Sequence, residues 1–430
     1  MKICLAFVGT LAKSARPLAL AAACLLTHGA WAAQFKPTTG GNLDDASNWN
    51  NTTDTSYAVV NQQSAALTIS SASATLPNNG SLLYRTNVHT NDFGAGNTLT
   101  VAGLTVEQGA TLVHKSGTID STGAATFNNG AAVFTGTGSV LDGTSATLSN
   151  GGVLAIEDGA AWNFTKSVTV NNGTKICADG AKITFSPDQN DRVFSVLAGG
   201  TLAITNSSFA MTSNKAKLDV ASGATAVING STLQIDDDGV KIGGDGGTLL
   251  FSGGASSISS RFTMTGDEFM FCVSNTTVNF ASDSSSKLFI TGSETSPTEG
   301  TSDRTLKFCG ANPHLVVKGT GGLFLRGSKT TLQFDLPRGD FTTDSVIEIP
   351  NASASFKGDS RTLAASQIVV NIDAHTTPGT YTLLKGKNAA TFLTGANKWV
   401  TNSDRAVISA NGNNEVVVTV KPVGLVIIVR

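Results

Sequence analysis

Asp236, Asp237 and Asp238 stand together ahead of Gly239, and Asp245 and Asp267 follow downstream. Two carboxylates held across a sugar can divide the acid and base roles of glycoside hydrolysis. On that reading Asp236, Asp237, Asp238, Asp245 and Asp267 are the candidate catalytic residues, with Arg261 and Glu268 nearby in sequence. Three adjacent carboxylates also offer the oxygen ligands that Ca2+ prefers, so Asp236, Asp237 and Asp238 are a candidate Ca2+ site. Ca2+ is the only cofactor the sequence suggests. A third reading is plainer. Asp ahead of Gly is turn chemistry, and a solvated acidic turn needs no ligand. The sequence favours this third reading, because nothing else in the chain completes a catalytic set.

Arg338-Gly339-Asp340, following Pro337, is an adhesive tripeptide of the integrin-binding type, expected in an exposed turn, and is the candidate binding site. Three cysteines, Cys177, Cys272 and Cys309, lie beyond the N-terminal segment. An odd number excludes complete intramolecular pairing. Cys272 and Cys309 could close a loop in an oxidising compartment, or all three could be isolated thiols. His89, His114, His314 and His375 are scattered, with no zinc-type Cys/His spacing. No phosphate-binding loop or Ser/His/Asp order can be argued. Trp162 and Phe164 share one face of a strand, which reads as core rather than as a platform for sugars.

The elements that must carry these residues announce themselves by repetition. Gly109, Gly130, Gly152 and Gly173 each open a short apolar segment; Gly180, Gly200, Gly223 and Gly247 continue the series. The intervals are 130 − 109 = 21, 152 − 130 = 22, 173 − 152 = 21, 200 − 180 = 20, 223 − 200 = 23 and 247 − 223 = 24. A fixed period in the low twenties marks a solenoid. Leu154/Ile156, Ile183/Phe185, Leu202/Ile204 and Leu233/Ile235 alternate with polar residues, as half-buried strands do. Asn129-Gly130, Asn150-Gly151 and Asn172-Gly173 are turn dipeptides. Asn-Gly also favours antiparallel hairpins, which leaves a sandwich or barrel as the alternative. A coil of about 22 residues explains the long period as well. The fold expected is all-β: a right-handed parallel β-helix (β-solenoid) with irregular N- and C-terminal caps. Asp245 and Asp267, 267 − 245 = 22 residues apart, would then stack on neighbouring coils. The organisation expected is a signal peptide at 1–32, an N-terminal cap at 33–95, the solenoid at 96–372 with a loop or insertion at 291–304, and a strand-rich cap at 373–430.

The N-terminus carries Lys2, Lys13 and Arg16, an apolar run from Pro17 to Leu26, and Ala30-Trp31-Ala32, the pattern of a secretory signal cleaved after Ala32. The alternative, Cys24 as a lipid acceptor, places Leu20 one position too far upstream. Cleavage leaves a net charge of (29 − 3) − 31 = −5 with His neutral. A mildly acidic chain with few cations is a poor partner for nucleic acid or anionic membrane. The apolar runs at both ends are too short to span a bilayer, so the mature chain is expected to have no transmembrane segment and to be extracellular or on the outer cell surface.

Gly40-Gly41-Asn42-Leu43-Asp44-Asp45-Ala46-Ser47-Asn48-Trp49, the glycine-launched strands and Pro378-Gly379-Thr380-Tyr381-Thr382-Leu383-Leu384 together resemble bacterial passenger-type β-helix proteins with autotransporter-associated β-strand repeats. That resemblance implies an exported β-helix displayed at the cell surface, adhesin-like, with surface glycans or other surface proteins as partners. The chain departs from that pattern in showing no C-terminal translocator barrel. The Asp236–Asp238 segment is faintly similar to the paired-Asp segment of β-helical galacturonan hydrolases. The family's Asn-Thr-Asp, His-Gly and Arg-Ile-Lys segments do not appear beside it. The function expected is a non-catalytic structural or adhesin-like surface protein. The alternatives are an extracellular polysaccharide lyase or hydrolase, or a glycan-binding module.

Overall fold

A computed structural model describes residues 32–423, apart from 38, 62–64, 191, 237–238, 261, 281–286, 290–302, 321, 326–329, 343, 359–366 and 394–397. The chain is all-β, wound from parallel strands as a β-solenoid of about 11 turns. It divides into two compact units, one ending at Phe209 and the other beginning at Ala210. The expected signal segment lies outside the described residues.

In the first unit each coil has three sides. One coil runs Val153–Glu157, Ala161–Phe164, Val168–Val170; the next runs Lys175–Asp179, Lys182–Phe185, Phe194–Val196. All three sides pair in parallel, with Val153 opposite Lys175, Ala161 opposite Lys182 and Val168 opposite Phe194. Apart from Val153–Glu157, which buries three residues in a row, these strands bury alternate residues, so the inner rows stack coil upon coil. Leu112, Ala132, Leu154, Ile176 and Leu202 form one such row, and all are essentially inaccessible. Trp162 stacks between Leu141 and Ile183 and packs on Phe164 at 4.4 Å and Phe194 at 6.4 Å. It is a core residue, as its alternation with Phe164 implied.

Strand register gives the true coil lengths. On the first side the steps are 131 − 111 = 20, 153 − 131 = 22, 175 − 153 = 22 and 201 − 175 = 26. The glycine series therefore slips once. Gly180 is not a coil start; it turns the chain from Lys175–Asp179 into Lys182–Phe185. The interval from Gly180 to Gly200 mixes two different corners of the coil, and the real step there is 26 residues.

At Gly130 and Gly152 the need for glycine is a matter of space, whereas at Gly109 and Gly173, where a Cβ would meet nothing, it is a φ of +77° and +71°. A Cβ on Gly130 would lie 2.5 Å from the Val106 carbonyl oxygen, and one on Gly152 would run into the Phe127 carbonyl. Only a residue without a side chain lets the corner approach the preceding side this closely.

Residues 33–95 read as irregular, yet they pair in the same parallel way. Ala33–Gln34 lie against Ala58–Val59, Tyr57–Val60 against Ser81–Tyr84, and Leu82–Arg85 against Leu104–Glu107. The run Leu82-Leu83-Tyr84 is buried at three successive positions, which hides the period-two signal.

The second unit continues the same style. Its first side runs through Thr225–Asn229, Thr248–Ser252, Phe269–Ser274, Arg304–Cys309, Thr330–Leu336 and Gln367–Ile372. The steps widen unevenly: 249 − 226 = 23, 271 − 249 = 22, 306 − 271 = 35, 332 − 306 = 26 and 368 − 332 = 36. The core row Phe251, Val273, Phe308, Phe334 includes Phe308 and Phe334 stacked at 5.5 Å. Parallel pairing gives way to antiparallel at Gly379–Gly386, Val416–Val420 and Ala406–Ala410, where Tyr381 and Ile408 both face Val418.

Candidate functional site

Asp236, Asp245, Asp267 and Glu268 lie outside the strands. Asp236 is exposed, and both its carboxylate oxygens accept from Gln234 Nε2, at 3.0 and 3.3 Å. Asp237 and Asp238, and with them the candidate Ca2+ site as a set, lie outside the described residues, as does Arg261. Asp245 and Asp267 do stack on successive coils, as their spacing implied. The contact joins carboxylate to backbone: Asp245 Oδ1 accepts from the Asp267 N–H at 2.8 Å. The motif then repeats, with Asp267 Oδ1 accepting from the Asp303 N–H at 2.8 Å. Backbone bonds reinforce the same stack, the Gly246 N–H donating to Asp267 O at 2.7 Å. Both aspartates and Glu268 are exposed.

A basic residue bonded to this turn, Arg304, is one the sequence did not single out. Arg304 opens its strand opposite Phe269, is buried at 6 % exposure, and donates from Nε to the Gly266 carbonyl at 2.8 Å. Its charge is turned toward the turn carbonyls and the coil interior. One oxygen each of Asp245 and Asp267 is thus bonded to the backbone of the next coil, and the adjacent Arg304 guanidinium binds a carbonyl of the same turn. Among the described residues no group of three or more His, Cys, Asp or Glu converges to hold a metal ion.

Arg338 and Asp340 are exposed on either side of Gly339, which has φ +85°. Gly339 is tied at its backbone, its N–H donating to His375 O at 3.1 Å and its carbonyl accepting from the Thr377 N–H at 2.9 Å. Phe341, next in sequence, packs edge-on against Tyr381 at 5.6 Å. The tripeptide is therefore an exposed turn on an anchored base.

Two polar groupings emerge from register alone. On one outer face Cys272 faces Lys307, which faces Gln333, while Ser274, Cys309, Asp335 and Asn371 form the adjacent row. Cys272 Sγ and Cys309 Sγ are 3.7 Å apart, and Lys307 Nζ is 2.8 Å from Asp335 Oδ2. Asp335 also accepts from Gln333 and Asn371, and these bonds hold its carboxyl below the ordinary range against the effect of burial. On another side Glu348 lies between Lys385, 3.1 Å away, and His314, 3.5 Å away. Burial depresses the His314 imidazole, opposed by Glu348. Unequal coil steps bring these partners together, 306 − 271 = 35, 332 − 306 = 26 and 368 − 332 = 36 on the first face and 347 − 315 = 32 and 384 − 347 = 37 beside Glu348, so no common spacing marks them in the sequence.

The first unit presents a different kind of surface. Thr105, Thr126, Thr147, Thr169 and Ser195 stand in register on five successive coils, on outward positions between buried neighbours. Comparison with protein families, with curated proteins and with solved structures finds no match to this chain.

Proposed function

We propose that this chain is an exported, non-catalytic β-solenoid that acts at the cell surface as a structural or adhesin-like protein. One observation carries the reading: Asp245 and Asp267, the acidic pair best placed for catalysis, each accept a backbone N–H of the following coil. Carboxylates used this way pin turns together, and stacked coils need such pins where the strands end.

The hydroxyl row from Thr105 to Ser195 supports the adhesive side of the proposal. Hydroxyls repeating at about 4.8 Å offer donors and acceptors in a line without charge repulsion. Such a row suits an extended polymer rich in hydroxyls, which is why surface glycans are the partners proposed. Co-sedimentation of the purified protein with insoluble cell-surface polysaccharides tests this. Retention is expected, and Thr126→Lys with Thr147→Lys, which place ammonium groups in the row, should weaken it about tenfold. Equal retention of wild type and variant on every polymer would count against the row. No retention at all would remove the adhesive reading.

A further inference from the structure

Cys272 and Cys309 sit on neighbouring parallel strands, Phe269–Ser274 and Arg304–Cys309, in a diagonal relation. Cys272 is opposite Lys307, and Cys309 is opposite Ser274. Their sulfurs meet at 3.7 Å on the outer face, with Cys272 nearly covered at 6 % exposure and Cys309 half-exposed. The Lys307 ammonium lies in the same patch, held by Asp335. We propose that Cys309 and Cys272 form a reversible dithiol switch that exchanges with small disulfides, Cys309 attacking first and Cys272 resolving.

The asymmetry follows from the surroundings. Either thiol can donate in the S···S contact; with the Cys272 S–H donating, that bond, with help from Ser274 and Lys307, brings the Cys309 thiol down to about 6. The same bond, together with burial, pushes the Cys272 thiol up. Asp335, across the strand, opposes the effect of Lys307 on Cys309. Cys309 is therefore the thiolate, and it is also the more accessible sulfur, the two requirements for a reactive cysteine.

The chemistry balances with a small disulfide as oxidant. The Cys309 thiolate attacks one sulfur of R–S–S–R, forming a Cys309–S–R bond and expelling one RS−. Cys272 then gives its proton to solvent and attacks Cys309 Sγ, forming the internal disulfide and expelling a second RS−. Two protein thiols are oxidised and one small disulfide is reduced to two thiols. Diagonal neighbours are further apart at their Cβ atoms than the about 3.8 Å of a relaxed disulfide, so closure needs a local shift of one strand along the other, and that strain makes the bond easier to reduce.

The test uses the full chain carrying Cys4→Ala and Cys24→Ala, which remove the thiols of the expected signal segment, and Cys177→Ala, a mild change because Cys177 stacks between Ala155 and Ala203. Its probe is the aryl disulfide DTNB. Two equivalents of thiolate should be released per chain, with the protein losing two hydrogens in mass, and dithiothreitol should restore the starting mass. The rate of the first step should rise with pH and level off above about 6. Cys272→Ser should stop at one equivalent, leaving a stable adduct on Cys309. Cys309→Ser should slow the reaction of the remaining thiol at least tenfold. Two independent adducts, an unreactive folded chain, or faster reaction at Cys272 would each overturn the proposal. A circular dichroism spectrum and urea midpoint of each variant separate lost reactivity from lost fold.

Discussion

His114 shows how a residue type associated with chemistry can be absorbed by the core. Its ring is inaccessible, lies 5.1 Å from Phe93 and 5.2 Å from Phe134, and donates from Nε2 to the Gly117 carbonyl at 2.7 Å. Burial brings its ionisation down to about 4. Above the unfolded value of 6.5 both folded and unfolded states are neutral, so His114 adds no pH dependence there. As pH falls below 6.5 the unfolded chain takes up the proton first, and stability declines until about 4. The gap, 6.5 − 4 = 2.5, is worth on the order of 3 kcal/mol at about 1.36 kcal/mol for each pH unit. His114→Phe keeps the ring but cannot ionise, so its urea midpoint should fall less steeply than wild type between pH 6.5 and 4. Parallel declines would show that His114 is not held neutral. His89, buried opposite Leu112 on the neighbouring strand and bonded to Thr86 O, contributes in the same direction in both proteins. The sequence shows the type of such a residue but not its neighbours. It did place Asp245 and Asp267 together, because a single coil length links them, but it could not tell that their carboxylates face backbone N–H groups.

At the scale of the coil, the sequence was legible where the repeat was uniform and misleading where a corner changed. Gly130 and Gly152 mark one corner, where a Cβ has no room. Gly180 looks the same in sequence but serves another corner, where the chain needs φ +66°. The two causes predict different responses to substitution. Gly152→Ala forces a Cβ into the Phe127 carbonyl and should cost more than about 2 kcal/mol. Gly143, inside the strand Ser139–Ser149, has an ordinary φ and open space around a Cβ. Gly143→Ala should therefore stabilise the protein, by about 0.4–1 kcal/mol, through lower entropy of the unfolded chain. Chemical denaturation of the two variants should give shifts of opposite sign; shifts of the same sign would refute this account of the corners. Beyond Phe271 the steps of 35, 26 and 36 residues carry no common period, so the pairings there were out of reach of a sequence argument.

For the molecule as a whole, the Asp245–Asp267 contacts and the corner glycines answer to one demand, the stacking of parallel coils. A solenoid coil contacts only its neighbours, so every corner must be closed locally. The Asp245–Asp267–Asp303 ladder closes one corner with side-chain acceptors, and Arg304 braces it from within. Among the described residues no helix is long and apolar enough to cross a membrane. The central claim is that these carboxylates build the fold and do not cut a substrate. Release of reducing ends and unsaturated products, measured with the purified protein on acidic and neutral polysaccharides with and without Ca2+, tests it most directly. No product should form on any polymer, and Asp267→Ala should lower the urea midpoint by breaking the bond to Asp303. Product that forms with wild type and disappears in a folded Asp267→Ala or Asp237→Ala variant would contradict the claim and make this solenoid an enzyme.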